Sequence, residues 1–125
     1  MLADPPRRLV HIVDDDDAVR DSMRVLLESL EFEVYDYSSA LDFLDRRGAN
    51  LEGCLLLDLH MPSMTGIDLL EHMRAEGRLL PTIVITGRSD AALKDRALKC
   101  GALDLIDKPV GDEVLIGALR RAFGS

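Results

Sequence analysis

Short apolar runs punctuate this chain, and between them apolar residues recur at helical spacing. Leu9 to Val13, Leu55-Leu56-Leu57 and Ile83-Val84-Ile85 are such runs. The last two show no polar alternation, the signature of strands buried on both faces. Phe32 to Tyr37 reads as a further strand, with Phe32, Val34 and Tyr35 inward, and Leu103 to Asp107 as a fifth. Val19, Met23, Leu26, Leu27 and Leu30 form one helical stripe. Asp16 or Asp17 is placed to cap that helix. A second helix starts at Ser38 or Ser39, carries Leu41, Phe43 and Leu44, and stops near Gly48. A third carries Ile67, Leu69, Leu70 and Met73. A fourth runs from about Ser89 to Cys100 and is closed by Gly101. A last helix carries Val114, Leu115, Ala118, Leu119 and Ala122.

Strand and helix therefore alternate five times with short links. This pattern predicts a parallel sheet covered by helices on both faces, an α/β doubly wound domain of flavodoxin-like order 2-1-3-4-5. The 125 residues suit one domain with a real core, spanning 1–125 with its folded part at about 9–123. Met1 to Arg8, with Asp4-Pro5-Pro6, reads as a loose leader.

Composition narrows the function. Fifteen basic against 23 acidic residues give a net charge of -8. That field disfavours nucleic acid phosphates, so direct nucleic acid binding by this domain is not expected. The chain shows no long apolar span and no charged-then-apolar leader, so a cytoplasmic protein with no membrane contact is expected. Cys54 and Cys100 lack paired spacing and read as buried thiols rather than zinc ligands or a disulfide.

The chemistry gathers at the carboxyl ends of the strands, which share one edge of a parallel sheet. The first strand ends in Asp14 and Asp15, the third in Asp58, the fourth in Thr86, the fifth in Lys108. Two unit charges about 4 Å apart repel by about 4 kcal/mol at an effective dielectric of roughly 20, and one lysine cannot offset three carboxylates. A divalent cation can, and carboxylate oxygens with water suit Mg²⁺. Lys108 and the Thr86 hydroxyl are then placed to bind phosphoryl oxygens. Asp58 is left as an in-line nucleophile, a role carboxylates take in aspartyl-phosphate chemistry.

Val10-His11-Ile12-Val13-Asp14-Asp15-Asp16, Asp58-Leu59-His60-Met61-Pro62 through Gly66, Ile83-Val84-Ile85-Thr86-Gly87 and Asp107-Lys108-Pro109 together resemble the response-regulator receiver domains of two-component signalling, of the FixJ/NarL type. The likeness runs from about Leu9 to Phe123. It implies that Asp58 takes phosphate from a histidine kinase or phosphotransfer protein. It implies that Asp15 and Asp58 ligate Mg²⁺ with the His60 backbone carbonyl, and that Asp14 acts through water. Thr86 would move toward the phosphoryl group and Lys108 would pair with it, across a cis Lys108-Pro109 bond. That movement would shift the fourth helix and fifth strand, a surface for a homodimer or for an output, most simply transcription. Slow self-dephosphorylation would be the only catalysis. Kinase contacts would fall on Val19, Arg20 and Met23 by family analogy. Many such domains carry an aromatic where this chain has Leu105, so its switch must be coupled differently.

His60 and Arg88 lie two residues beyond Asp58 and Thr86, so both are candidates to reach the mouth of the site and modulate the phosphoprotein's lifetime. Simpler readings stand beside these. Asp14 to Asp17 can be a solvated capping cluster, Asp58 a turn residue, Thr86 a space filler and Lys108 a surface lysine. His11, His72, the methionines Met23, Met64 and Met73, and Arg120-Arg121 read as packing or solvated residues. Two other functions compete. Asp15-x-Asp17-x-Val19 fits the D-x-D-x-[TV] pattern of haloacid-dehalogenase-like phosphatases, with Asp15 as nucleophile. A pseudo-receiver that binds partners without phosphorylation is the other. Whether an output domain follows Ser125 is left open.

Overall fold

Val10 and Ile12 face one way and His11 and Val13 the other, and this alternation divides the first strand between two apolar layers. The computed structural model describes residues 8–47, 51–87 and 91–124. In chain order the elements are β1 (Leu9–Val13), α1 (Asp17–Ser29), β2 (Glu33–Tyr37), α2 (Ala40–Arg46), β3 (Cys54–Asp58), α3 (Gly66–Ala75), β4 (Thr82–Thr86), α4 (Ala91–Lys99), β5 (Asp104–Asp107) and α5 (Asp112–Phe123). The strands form one sheet in the order β2-β1-β3-β4-β5, every pair parallel. This is the expected doubly wound topology.

Every residue of β3 and β4 is buried. Leu55, Leu57 and Val84 pack against α2, α3 and α4 through Phe43, Leu69, Leu70, Met73 and Ala97. Leu56, Ile83 and Ile85 face α1 and α5 through Met23, Leu27, Leu115, Ala118 and Leu119. Each buried aliphatic side chain contributes about 1.5–3 kcal/mol, so the central strands are the most firmly held part of the sheet. Their carboxyl ends carry the candidate chemistry.

Local signals set the helix starts. Asp16 caps α1, accepting from the N–H groups of Ala18 and Val19 at 3.0 and 3.2 Å. Ser39 caps α2. Thr65 and Asp68 form a reciprocal capping box at α3. Gly66 opens α3 because nothing larger fits: a Cβ there would lie 2.4 Å from the Asp58 carbonyl oxygen and 2.9 Å from Leu59 Cα. That close approach folds the loop after Asp58 back against the end of β3.

Several expectations need correction. In β2 the inward residues are Val34 and Tyr37, while Tyr35 is 46% exposed. Phe32 precedes the strand and is only half-buried, stacked on Phe123. Leu30, Leu41 and Val114 belong to helical stripes by spacing, yet all three are exposed. Cys54 is buried, with burial pushing its thiol up to about 12, but Cys100 is only half-buried. The start of α4 at Ser89 and the stop near Gly48 lie outside the described residues. No helix of the described residues is long and apolar enough to cross a membrane.

Candidate functional site

Asp58 ends β3, and β3 lies between β1 and β4, so the side chains beyond those two strands flank it. Asp14 and Asp15 follow β1 directly. Asp14 is 1% exposed and Asp58 4%, whereas Asp15 is open to solvent. One carboxylate oxygen from each of the three lies within 4.8 Å of the other two. Lys108, just past β5, places its ammonium nitrogen 3.0 Å from Asp14 Oδ2 and 3.6 Å from Asp58 Oδ2. The Lys108 N–H donates to the Thr86 carbonyl at 2.8 Å, and the Lys108-Pro109 bond is cis, as expected. Thr86 is buried at the end of β4, one residue past Ile85, the register partner of Asp58.

The electrostatics follow from this crowding. Burial first, then the charge of Asp14, hold the Asp58 carboxyl above the usual carboxylate range, with Asp15 adding a little. The His60 N–H, which donates to Asp58 Oδ1 at 3.2 Å, and Lys108 pull the other way. Burial alone would lower the Lys108 pKa, but Asp14 and Asp58 outweigh it and the net direction is upward. The ammonium therefore stays charged at neutral pH. Three ionised carboxylates against one ammonium leave about two negative charges in a small, largely buried space.

Asp14 Oδ2 is buried, with the Lys108 ammonium beside it at 3.0 Å as an ion-pair partner. An all-oxygen cluster of three carboxylates against one ammonium, with surplus negative charge, fits a hard divalent cation such as Mg²⁺.

The remaining sequence candidates distribute as follows. The His60 ring lines a hollow of about 440 Å³ between the β3–α3 loop and α4, with Leu93 and Arg96 on the far side. Its Nε2 is buried and unpartnered. Leu105 is half-buried and packs on the core layer of α2, α3 and α4. Arg88 lies outside the described residues. Of the expected kinase contacts, Val19 and Met23 line a hollow of about 260 Å³ between α1 and the β5–α5 link, where Pro109 and Val110 form the other wall. Arg20 does not join them. Its side chain is drawn back onto Asp36 and the Asp14 carbonyl.

Two features escaped the sequence reading. Arg20 was expected as a kinase contact by family analogy, and no spacing in the sequence pointed to its bonds with Asp36 and the Asp14 carbonyl. His11 was read as packing or solvent. It is buried, its Nε2 donates to the Glu52 carbonyl at 2.9 Å, and its ring stacks on Tyr35 and Tyr37. That hydrogen bond leaves Nδ1 to accept from the Tyr37 hydroxyl at 3.3 Å.

The sheet order and the carboxylate–lysine cluster at its carboxyl edge define a doubly wound α/β domain with an acidic site. The chain belongs to the response regulator receiver domain family, whose model matches residues 10–120. It is 42% identical over 115 residues to the transcriptional regulatory protein FixJ of Azorhizobium caulinodans, covering 92% of this chain and 54% of that protein. It is 40% identical to the response regulator protein TmoT of Ectopseudomonas mendocina, covering 92% of this chain and 52% of that protein. The crystal structure of FixJ-N superposes with a TM-score of 0.86 at 40% identity, covering 94% of both chains. The response regulator StyR superposes with a TM-score of 0.88 at 37% identity, over 95% of this chain and 60% of the other. The chain thus spans about half the length of the curated relatives it matches. It is a FixJ-like receiver domain of signalling response regulators, and the phosphatase and pseudo-receiver alternatives are not favoured.

Proposed function

We propose that this domain receives a phosphoryl group on Asp58 from the phosphohistidine of a histidine kinase or phosphotransfer protein. One observation carries the reading. A buried carboxylate ends the central strand with a lysine 3.6 Å away and two further carboxylates within 4.8 Å.

In the step, an Asp58 carboxylate oxygen attacks phosphorus in line. The new O–P bond forms as the N–P bond to the donor imidazole breaks, and the departing imidazole nitrogen keeps the electron pair and takes up a proton. Lys108 is placed to pair with a phosphoryl oxygen, which requires it to leave Asp14. The Thr86 hydroxyl donates to another. Asp15, Asp58 and the His60 carbonyl would hold Mg²⁺, with Asp14 acting through water; the ion when bound neutralises charge on both the carboxylates and the incoming phosphoryl group.

Lys94 of α4 pairs with Asp107 of β5 at 2.7 Å. Displacement of Thr86, which precedes α4 and neighbours Asp107 in register, would therefore be felt on the α4–β5 face. That face is the surface for a homodimer or an output, and the named transcriptional regulators among the relatives support transcription as the output. The hollow between α1 and the β5–α5 link opens beside Lys108 and suits docking of the kinase's histidine-bearing element. A cytoplasmic location fits such a partner. Self-dephosphorylation is the only catalysis expected.

Labelling with acetyl phosphate tests the reading. Wild type gains an acid-stable, base-labile label only with Mg²⁺, and Asp58→Ala gains none. Equal labelling of Asp58→Ala, or labelling indifferent to chelator, overturns it.

A further inference from the structure

Three of the four polar groups of Asp14 are committed to the protein. Its N–H donates to the Tyr37 carbonyl at 3.2 Å, its Oδ1 accepts from the Asp16 N–H at 2.9 Å, and its carbonyl accepts from Arg20 Nη1 at 2.8 Å. Oδ2 faces the Lys108 ammonium as an ion pair. The Arg20 contact is the one a side chain from another element supplies. Arg20 lies on α1 and is anchored at its other nitrogens, Nε to Asp36 Oδ2 at 3.1 Å and Nη2 to Asp17 Oδ1 at 2.7 Å. Its side chain is only 13% exposed. Asp36 is itself immobilised. It sits opposite Ile12 in the β1–β2 register, and its carbonyl accepts from Arg46 Nη2 at 2.6 Å.

We propose that Arg20 is a positioning residue for the phosphorylation site: a fork anchored on Asp36 grips the Asp14 carbonyl and thereby sets the aim of Asp14 and Asp15. The Asp14 carbonyl and the Asp15 N–H share one peptide plane. Fixing the oxygen therefore fixes the direction in which the chain carries Asp15 away from β1. Two carboxylates already offset the Arg20 charge, so its field at the cluster is small and its geometry is what matters. Arg24 provides the contrast. It binds Asp36 and Glu28 but does not touch the acidic loop. The inference rests on the reading above that these carboxylates hold a divalent cation.

The test is Mg²⁺ titration by calorimetry on the full chain, with acetyl phosphate labelling rates at limiting and saturating Mg²⁺. Arg20→Met weakens Mg²⁺ binding about 10-fold, the scale seen when a group orienting a metal ligand is removed. Its labelling slows at limiting Mg²⁺ and recovers at saturation. Arg24→Met stays within about two-fold of wild type, as loss of a partly exposed ion pair should. Arg20→Lys keeps the charge and loses the fork, so it weakens binding as well, and it serves if the Met variant does not fold. Wild-type affinity in Arg20→Met or Arg20→Lys overturns the inference. So does an Arg24→Met loss equal to that of Arg20→Met, because the effect would then be general to α1 packing. If wild type itself binds no Mg²⁺, both this inference and the functional reading fall. If wild type binds and is labelled while Arg20 variants match it, only this inference falls.

Discussion

The Lys108 ammonium lies 3.0 Å from Asp14 Oδ2, on one of the three carboxylates of the cluster. Lysine and metal then compete for that cluster. Lys108→Met should bind Mg²⁺ more tightly than wild type, because a like charge is gone. It should nonetheless be phosphorylated about 100-fold more slowly, because a donor to the phosphoryl group is gone as well. Its metal-free stability should fall by about 1–2 kcal/mol, less than for a fully buried pair. Calorimetry, labelling kinetics and urea melts separate the three effects.

Asp58→Asn should stabilise the metal-free domain at neutral pH. Burial and Asp14 raise the Asp58 pKa in the fold. A raised pKa means the wild-type contribution is fully present below the unfolded value and lost as pH rises through the folded one. The advantage of the Asn variant therefore grows as pH rises through that window and vanishes in acid. Thermal melts at several pH values measure it. Added Mg²⁺ should raise the wild-type Tm at neutral pH and leave that of the variant nearly unmoved.

His11 carries the opposite sign. Burial lowers its pKa from the ordinary 6.5, while the Glu52 carbonyl opposes this only in part. A depressed pKa gives stability that is present above the unfolded value and lost as pH falls through the folded one. Wild type should thus weaken below about pH 6.5 by proton uptake at His11. His11→Gln should lack that component, so the stability difference between the two should shrink on acidification. Urea midpoints between pH 7.5 and pH 5 would show a constant difference if His11 titrates like a free imidazole.

Gly66→Ala should be destabilised by about 1–3 kcal/mol, the usual cost of overpacking. The added methyl would sit 2.4 Å from the Asp58 carbonyl oxygen, and backbone is on both sides of the clash. Relief must come from moving the β3–α3 loop, which carries the His60 N–H that holds Asp58 Oδ1. Phosphorylation should slow together with the loss of stability. Denaturant melts and labelling rates on one preparation check both.

The strand ends were legible because the middles of β3 and β4 are apolar, so the polar residue at each carboxyl terminus marked the sheet edge. Once the order of strands was fixed, Asp14, Asp58, Thr86 and Lys108 could only converge. The faces of β2 were not legible. It is an edge strand with mixed polarity: Tyr35 and Tyr37 lie two apart and share a face, yet Tyr37 packs on Phe43 and is buried while Tyr35 is exposed, so alternation alone could not choose between them. The role of Arg20 was hidden for another reason. Its partners Asp14, Asp17 and Asp36 come from a loop, its own helix and a neighbouring strand, and no periodicity links them. Exposure of Leu30, Leu41 and Val114 shows that helical spacing sets a stripe but not its width.

The most direct measurement is to find which residue carries the phosphate. Wild type is labelled with acetyl phosphate and Mg²⁺, the acyl phosphate is reduced with borohydride, and the chain is digested and sequenced by mass spectrometry. Reduction converts a phosphorylated aspartate to homoserine. Homoserine at position 58 alone is the expected result. Homoserine at Asp15, or an unmodified Asp58 in a labelled protein, would contradict it.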